Sequence, residues 1–190
     1  MNDPQIREIL QKTELAHFIS DTNSKVVEEL KLPIVKARID IAVINGHLHG
    51  YEIKSAQDTL QRLPSQLLAY SKVFDFLTVV TENKYHERIL GIIPDWVGVS
   101  ICSDKLEEDQ YKIIKPSTLN NNKEGFHIAK LLWHSELVEV LAEQNIPFKN
   151  KQRTWILCEL IAANIEINLL SDIVRHKLKQ RNEWKVKEGY

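Results

Sequence analysis

Three ionisable residues stand inside one otherwise apolar stretch, RIDIAVINGHLHGYEIKS, running from Arg38 to Ser55: Asp40, Glu52 and Lys54. Charges near a core are costly unless they are paired, hydrogen-bonded or bound to metal. Two carboxylates on neighbouring strands can share a hard divalent cation such as magnesium, which keeps several waters and so leaves room for a phosphate oxygen and a nucleophile. A lysine beside them orients or deprotonates the attacking water and offsets charge growing on the phosphoryl group. These residue types point to metal-assisted hydrolysis of a phosphate ester.

The element that must position them is a β-hairpin. Two apolar runs, Ile39 to Ile44 and Leu48 to Ile53, flank Asn45-Gly46, the strongest short-range hairpin signal. Side chains alternate along a strand, so Glu52 and Lys54 share a face while Tyr51 and Ile53 take the other. A strict two-residue loop would set Asp40 opposite Tyr51, on the wrong face. A three-residue loop, with Ile44 and Asn45 in a type I turn and Gly46 left-handed as a bulge, brings Asp40 round to Glu52 and Lys54; this turn, or an equivalent bend at Asp40, is the expectation.

Asp40, eleven intervening residues and Glu52-Ile53-Lys54 resemble the D...(D/E)xK signature of the PD-(D/E)XK nuclease superfamily. Gln66-Leu67-Leu68-Ala69-Tyr70 is similar to the QxxxY element of its RecB-like and λ-exonuclease-like branches, and Glu29 in KVVEEL stands where the superfamily keeps a helix glutamate. The block from Ala37 to Tyr70 most resembles small stand-alone bacterial members; Ile39 replaces the proline that often precedes the aspartate. The resemblance implies a restriction-endonuclease-like α/β core, a mixed central β-sheet flanked by helices, with a helical C-terminal extension. It also implies a Mg2+ or Mn2+ cofactor held by Asp40, Glu52 and the carbonyl of Ile53, and DNA as the substrate. In that scheme Lys54 activates or positions water, Glu29 supports the hydrated metal, and Gln66 with Tyr70 orders the site. The rival reading is a non-cleaving nucleic-acid-binding or regulatory protein that keeps the nuclease fold, since fold alone does not carry function.

With 190 residues the chain can build one substantial core plus a small helical appendage. Its formal charge of -1 lacks a global basic signature, so any positive surface for nucleic acid must be local. Cys102 and Cys158 stand far apart without a CxxC partner, which argues against a disulfide framework or zinc ribbon. The N-terminus lacks a basic segment leading an apolar one, and no run approaches bilayer length, so a cytoplasmic address without membrane contact is expected.

In chain order, Asp3-Pro4 opens a helix running to about Phe18, and Ser24 caps a second helix over Val26, Val27 and Leu30, ended by Pro33. Pro64 opens another helix to about Val73 that sets Gln66 and Tyr70 on one face. Phe76–Thr81, Val97–Cys102 and Tyr111–Lys115 read as strands, the last two joined by an acidic turn at Glu107, Glu108 and Asp109, with a helix over Tyr85–Leu90. These form a core unit over 1–119. The Asn120–Asn122 run reads as a linker to a helical unit over 126–190.

Within that second unit, Lys149, Lys151 and Arg153 precede a helix, and Arg175 and Lys179 lie on the last one; these are the candidate DNA-phosphate contacts. Glu136–Leu160 has helix-loop-helix spacing similar to SAP modules, without their usual glycine before the lysine. His47 and His49 read as a surface-facing pair, and the four tryptophans, Trp96, Trp133, Trp155 and Trp184, as core or rim anchors. No GxSxG, Walker loop or GxGxxG is present. Cutting both strands of a duplex with so small a chain calls for a second copy, so a homodimer is expected on that substrate.

Overall fold

In the computed structural model, which describes residues 1–34, 37–55, 57–104, 110–149 and 151–181, the Asn45-Gly46 hairpin is built into a six-stranded mixed sheet. Two helices, α1 (Asp3–Lys12) and α2 (Ala16–Ser20), precede strands β1 (Lys25–Lys31), β2 (Arg38–Ile44) and β3 (Leu48–Lys54). Helix α3 (Leu63–Tyr70) leads to β4 (Phe76–Glu82), and α4 (His86–Leu90) to β5 (Gly98–Cys102) and β6 (Tyr111–Lys115). Spatial order follows chain order. The first three strands are antiparallel, β3, β4 and β5 run parallel, and β6 returns antiparallel.

The two faces of β3 do different things. Tyr51 and Ile53 join Ile41, Val43 and Val80 in a core closed by Ile6, Ile9 and Leu10 of α1 and by Leu15. The other face carries Gly50, Glu52 and Lys54. A Cβ at Gly50 would come within 3.2 Å of the Phe74 ring, so the missing side chain lets the α3–β4 turn close on this face. Residues Leu77 to Thr81 are buried throughout, as expected of a continuous apolar run in a parallel, covered strand.

Two local expectations are overturned. The first helix stops at Lys12: Thr13 turns its hydroxyl onto the Ile9 carbonyl at 2.7 Å, and α2 begins separately. Its cap is Asn2, one residue earlier than expected, in a reciprocal capping box with Gln5. The segment expected as a helix from Ser24 is strand β1. Val26, Val27 and Leu30 fit one helical face, but pairing with β2 from Lys25↔Ile44 to Lys31↔Arg38 supplies their backbone partners instead.

The chain divides into units Met1–Glu124 and Gly125–Tyr190. The asparagine run belongs to the first and is tied into it, not slack: buried Asn120 donates to the carbonyls of Ser71 and Phe74 at 2.7 and 2.8 Å, and Lys123 pairs with Asp75. The second unit is helical, with α5 (Gly125–Ala129), α6 (His134–Glu143), α7 (Thr154–Asn164) and α8 (Ile167–Gln180) around Leu137, Leu141, Cys158, Ile161 and Leu170. No helix among the described residues is long and apolar enough to cross a membrane. The acidic turn at Glu107–Asp109 and Trp184 lie outside the described residues.

Candidate active site

The hairpin loop decides which face Asp40 takes. Ile44 pairs with Leu48, leaving Asn45, Gly46 and His47 as a three-residue loop held by Asn45 N–H on the His47 carbonyl at 3.0 Å and His47 N–H on Asn45 Oδ1 at 2.8 Å. The expected left-handed glycine is not formed, since no described glycine has positive φ; the asparagine side chain shapes the turn instead. The register is nevertheless the one that the site needs. Ile41 pairs with Tyr51, so the next step outward aligns Asp40 with Glu52, and Asp40 Oδ2 accepts the Ile53 N–H at 2.7 Å.

Glu52 is 2 % exposed, and both of its carboxylate oxygens have protein donors. Lys54 Nζ donates to its Oε1 at 2.6 Å and to Gln66 Oε1 at 2.9 Å; Gln66 Nε2 closes the triangle on Glu52 Oε1 at 2.7 Å. The Tyr70 hydroxyl lies 2.7 Å from Glu52 Oε2 and 2.8 Å from the Arg38 carbonyl, two acceptors for one proton. Helix α3 supplies both groups because Gln66 and Tyr70 are one turn apart. Burial, then the Glu52 carboxylate, push the Tyr70 phenol well above its ordinary range, so it remains a donor.

Asp40 sits at the rim with its side chain 17 % exposed. Burial first and the Glu52 charge second raise its carboxyl to about 7, against the lowering effects of the Ile53 N–H and of Arg7. Arg7, on α1, escaped the sequence reading. Its guanidinium reaches Asp40 Oδ1 at 3.2 Å, the Asp40 carbonyl at 3.0 Å, Glu29 Oε1 at 2.6 Å and Asp3 Oδ1 at 2.5 Å. The Asp3–Arg7 spacing marks a local i,i+4 pair, but nothing local signals a partner in β2.

Glu29 is brought near the acids, from a strand and not from a helix. It lies opposite Asp40 between the pairs Glu28↔Ile41 and Leu30↔Ile39, with left-handed φ of 57°, uncommon for a residue with a side chain. Its carboxylate is committed to Arg7 and to Arg38, the latter at 2.6 Å.

The donors suit a hard cation by type. Asp40, Glu52 and the Ile53 carbonyl offer oxygen ligands, and magnesium or manganese is commonly bound through one or two carboxylates with water completing the shell. Among the described residues no group of three or more His, Cys, Asp or Glu converges on a metal position. A cation there would have Asp40 and Glu52 as its two carboxylates.

The basic candidates part company. Lys149, Lys151 and Arg153 are exposed ahead of and at the cap of α7. On α8 the charge is largely neutralised: Arg175 pairs with Asp172, and Lys177 with Glu139 and Glu143 at 3.0 Å each. Lys179 is half-buried, and Arg181, just beyond α8, is buried on Glu136 with its guanidinium 4.3 Å from the Trp133 ring. Trp96 is a core anchor, whereas Trp133 and Trp155 are exposed. His49 is half-buried, stacked on Tyr51 and 3.0 Å from Thr78 Oγ1, so the two histidines are not a surface pair; His47 is in the loop. Burial raises the thiols of Cys102 and Cys158 to about 12 and about 11, which suits inert core residues.

Among known proteins, the chain is similar to Protein cII of Enterobacteria phage P4, with 27 % identity over 160 residues. The match covers 84 % of this chain and 60 % of that protein, so the chain spans about three-fifths of its relative's length. A solved structure, the SPO1766 protein of unknown function from Silicibacter pomeroyi, aligns with 80 % of this chain and 99 % of its own at TM-score 0.47 and 15 % identity. The family model described as Bacteriophage P4 protein cII matches residues 3–188, nearly the whole chain, and this protein belongs to that family.

Proposed function

We propose that the first unit is a restriction-endonuclease-like nuclease core of the PD-(D/E)XK type, which hydrolyses phosphodiester bonds in DNA with Mg2+ or Mn2+. The observation that carries this reading is the convergence of Asp40, Glu52 and Lys54 on one sheet face, with Glu52 gripped by Gln66 and Tyr70 and Asp40 held by the Ile53 N–H. Stability gives little reason for such a cluster, because buried ion pairs are often no better than apolar side chains of similar volume.

Asp40, Glu52 and the Ile53 carbonyl would hold the cation, whose chemistry is Lewis-acid polarisation of phosphate and a lowered water pKa. Lys54 gives two of its three N–H groups to Glu52 and Gln66, leaving one for a water or a phosphoryl oxygen. Gln66 locks that ammonium in place, and Tyr70 keeps the Glu52 carboxylate from rotating. Lys149, Lys151 and Arg153 are proposed to grip phosphates, and a homodimer would serve a duplex substrate.

A second reading has its own observation. All four oxygens of Asp40 and Glu52 already have protein donors, as in a network that needs nothing more. It makes the protein a non-cleaving nucleic-acid-binding or regulatory molecule. The deciding experiment incubates single-stranded, duplex and forked DNA, and RNA, with Mg2+ or Mn2+ and either wild type or Lys54→Met. Cutting that requires metal and disappears in the variant is expected. Binding without cutting by the wild type, with no stabilisation by either metal, would transfer the case to the second reading.

A further inference from the structure

Arg7 lies where a cation at Asp40 would meet it. Its Nη2 spans Asp40 Oδ1 at 3.2 Å and Glu29 Oε1 at 2.6 Å, while Nε holds Asp3 and Nη1 holds the Asp40 carbonyl at 3.0 Å. We propose that Arg7 is a resident counter-ion that competes with a divalent cation for Asp40, so that the affinity of the acidic pair for metal is held down by a charge from helix α1. The inference rests on the metal-site reading above.

The alternative role for Arg7 is to orient Asp40 for metal, and the geometry speaks against it. Asp40 is already oriented through Oδ2 by the Ile53 N–H at 2.7 Å, the shorter of its two side-chain bonds. The Arg7 contact at Oδ1 is the longest that the guanidinium makes to these partners, so it is the one most easily given up. The other contacts would keep the guanidinium nearby after that exchange. A fixed positive charge within a few ångströms of a bound cation opposes it, at a half-buried site where solvent screens incompletely.

Removing the guanidinium therefore has two opposite effects. Asp3, Glu29 and Asp40 lose their shared cation and repel one another in the metal-free protein, and the pair Asp40 and Glu52 binds a divalent cation more strongly.

The test is calorimetric titration of Mn2+ into wild type, Arg7→Gln, Arg7→Lys and Asp40→Asn, with melting of each metal-free protein. Arg7→Gln is expected to bind roughly tenfold more tightly, as one nearby charge typically changes a site by a factor of ten or more. It should also melt at a lower temperature without metal, while Arg7→Lys, which keeps the charge, stays close to wild type in affinity. If the single variant does not fold, Asp3→Asn with Arg7→Gln removes one negative and one positive charge together, and is compared with Asp3→Asn alone. Manganese binding that depends on Asp40 but is equal or weaker after loss of the guanidinium overturns the role of Arg7 and leaves the metal site standing. No Mn2+ binding by any of the proteins overturns the metal-site reading and this inference with it.

Discussion

Tyr70 on α3 and Glu52 on β3 are 18 residues apart in sequence and joined at 2.7 Å through phenol and carboxylate. Glu52 is too buried to recruit water in place of a lost donor. Tyr70→Phe keeps the ring against Phe74 and removes only the hydroxyl, and with it the contacts to Glu52 and to the Arg38 carbonyl. It should destabilise the protein by about 1–3 kcal/mol, the usual cost of stranding a buried charged acceptor. Urea denaturation checks this, and the same variant should cut more slowly than wild type if Tyr70 orders the site.

Lys54 and Glu52 form a buried pair, so neutralising either alone has a structural cost separate from chemistry. Lys54→Met should lose cleavage and about 3 kcal/mol of stability, because it leaves a buried carboxylate uncompensated. Glu52→Gln with Lys54→Met should recover much of that stability while remaining inactive. Recovery of cleavage in the double variant would remove both residues from the mechanism.

His49 and Asp40 should oppose each other in acid. Burial, with His47 nearby, lowers His49 to about 4 from its ordinary 6.5. Between those values the unfolded chain binds the extra proton, so this group's contribution is complete above 6.5 and lost as pH falls toward 4. Asp40 is raised to about 7 from an ordinary 3.8; the folded state binds the proton first, and acidification through that window stabilises. In metal-free buffer, Asp40→Asn should therefore lose on the order of 2 kcal/mol of stability between about pH 7 and about pH 4.5. His49→Gln should show the opposite slope, and the wild type a flatter profile. Denaturant midpoints against pH measure all three.

Glu29 carries its side chain at a φ of 57°, at an estimated cost of about 1 kcal/mol. Glycine would relieve that strain but forfeit the pairs to Arg7 and Arg38. Glu29→Gly should consequently change stability by less than about 1 kcal/mol, whereas Glu28→Gly, at an ordinary strand position, should be destabilising by about that amount. Thermal melting of the two variants separates strain from strand propensity.

What could be read from the chain was mostly what depends on near neighbours. Asn45-Gly46 between apolar runs specifies the hairpin, alternation puts Glu52 and Lys54 on one face, and the four-residue step from Gln66 to Tyr70 puts both on one side of α3. The loop has the expected three residues but lies one position later, Asn45 to His47 and not Ile44 to Gly46, and without a left-handed glycine; the odd loop length is what sets the face that Asp40 takes.

The remainder was decided in three dimensions. KVVEEL satisfies a helix or a strand equally on local grounds, and the ladder offered by β2 made it β1, which moved Glu29 from a helix to an edge strand opposite Asp40. Arg7 shows locally only an i,i+4 partner in Asp3; its place beside Asp40, 33 residues on, exists because the apolar side of α1 packs on Ile41, Val43 and Tyr51 and turns the guanidinium toward the sheet end. Likewise the basic residues of α8 and of its C-cap look free in sequence, and folding pairs Arg175 with Asp172, Lys177 with Glu139 and Glu143, and Arg181 with Glu136. By itself the sequence determined which residues share a strand or helix face, because backbone period is local. Which charges meet was settled by tertiary structure, because partners across strands and helices are chosen by how apolar faces pack.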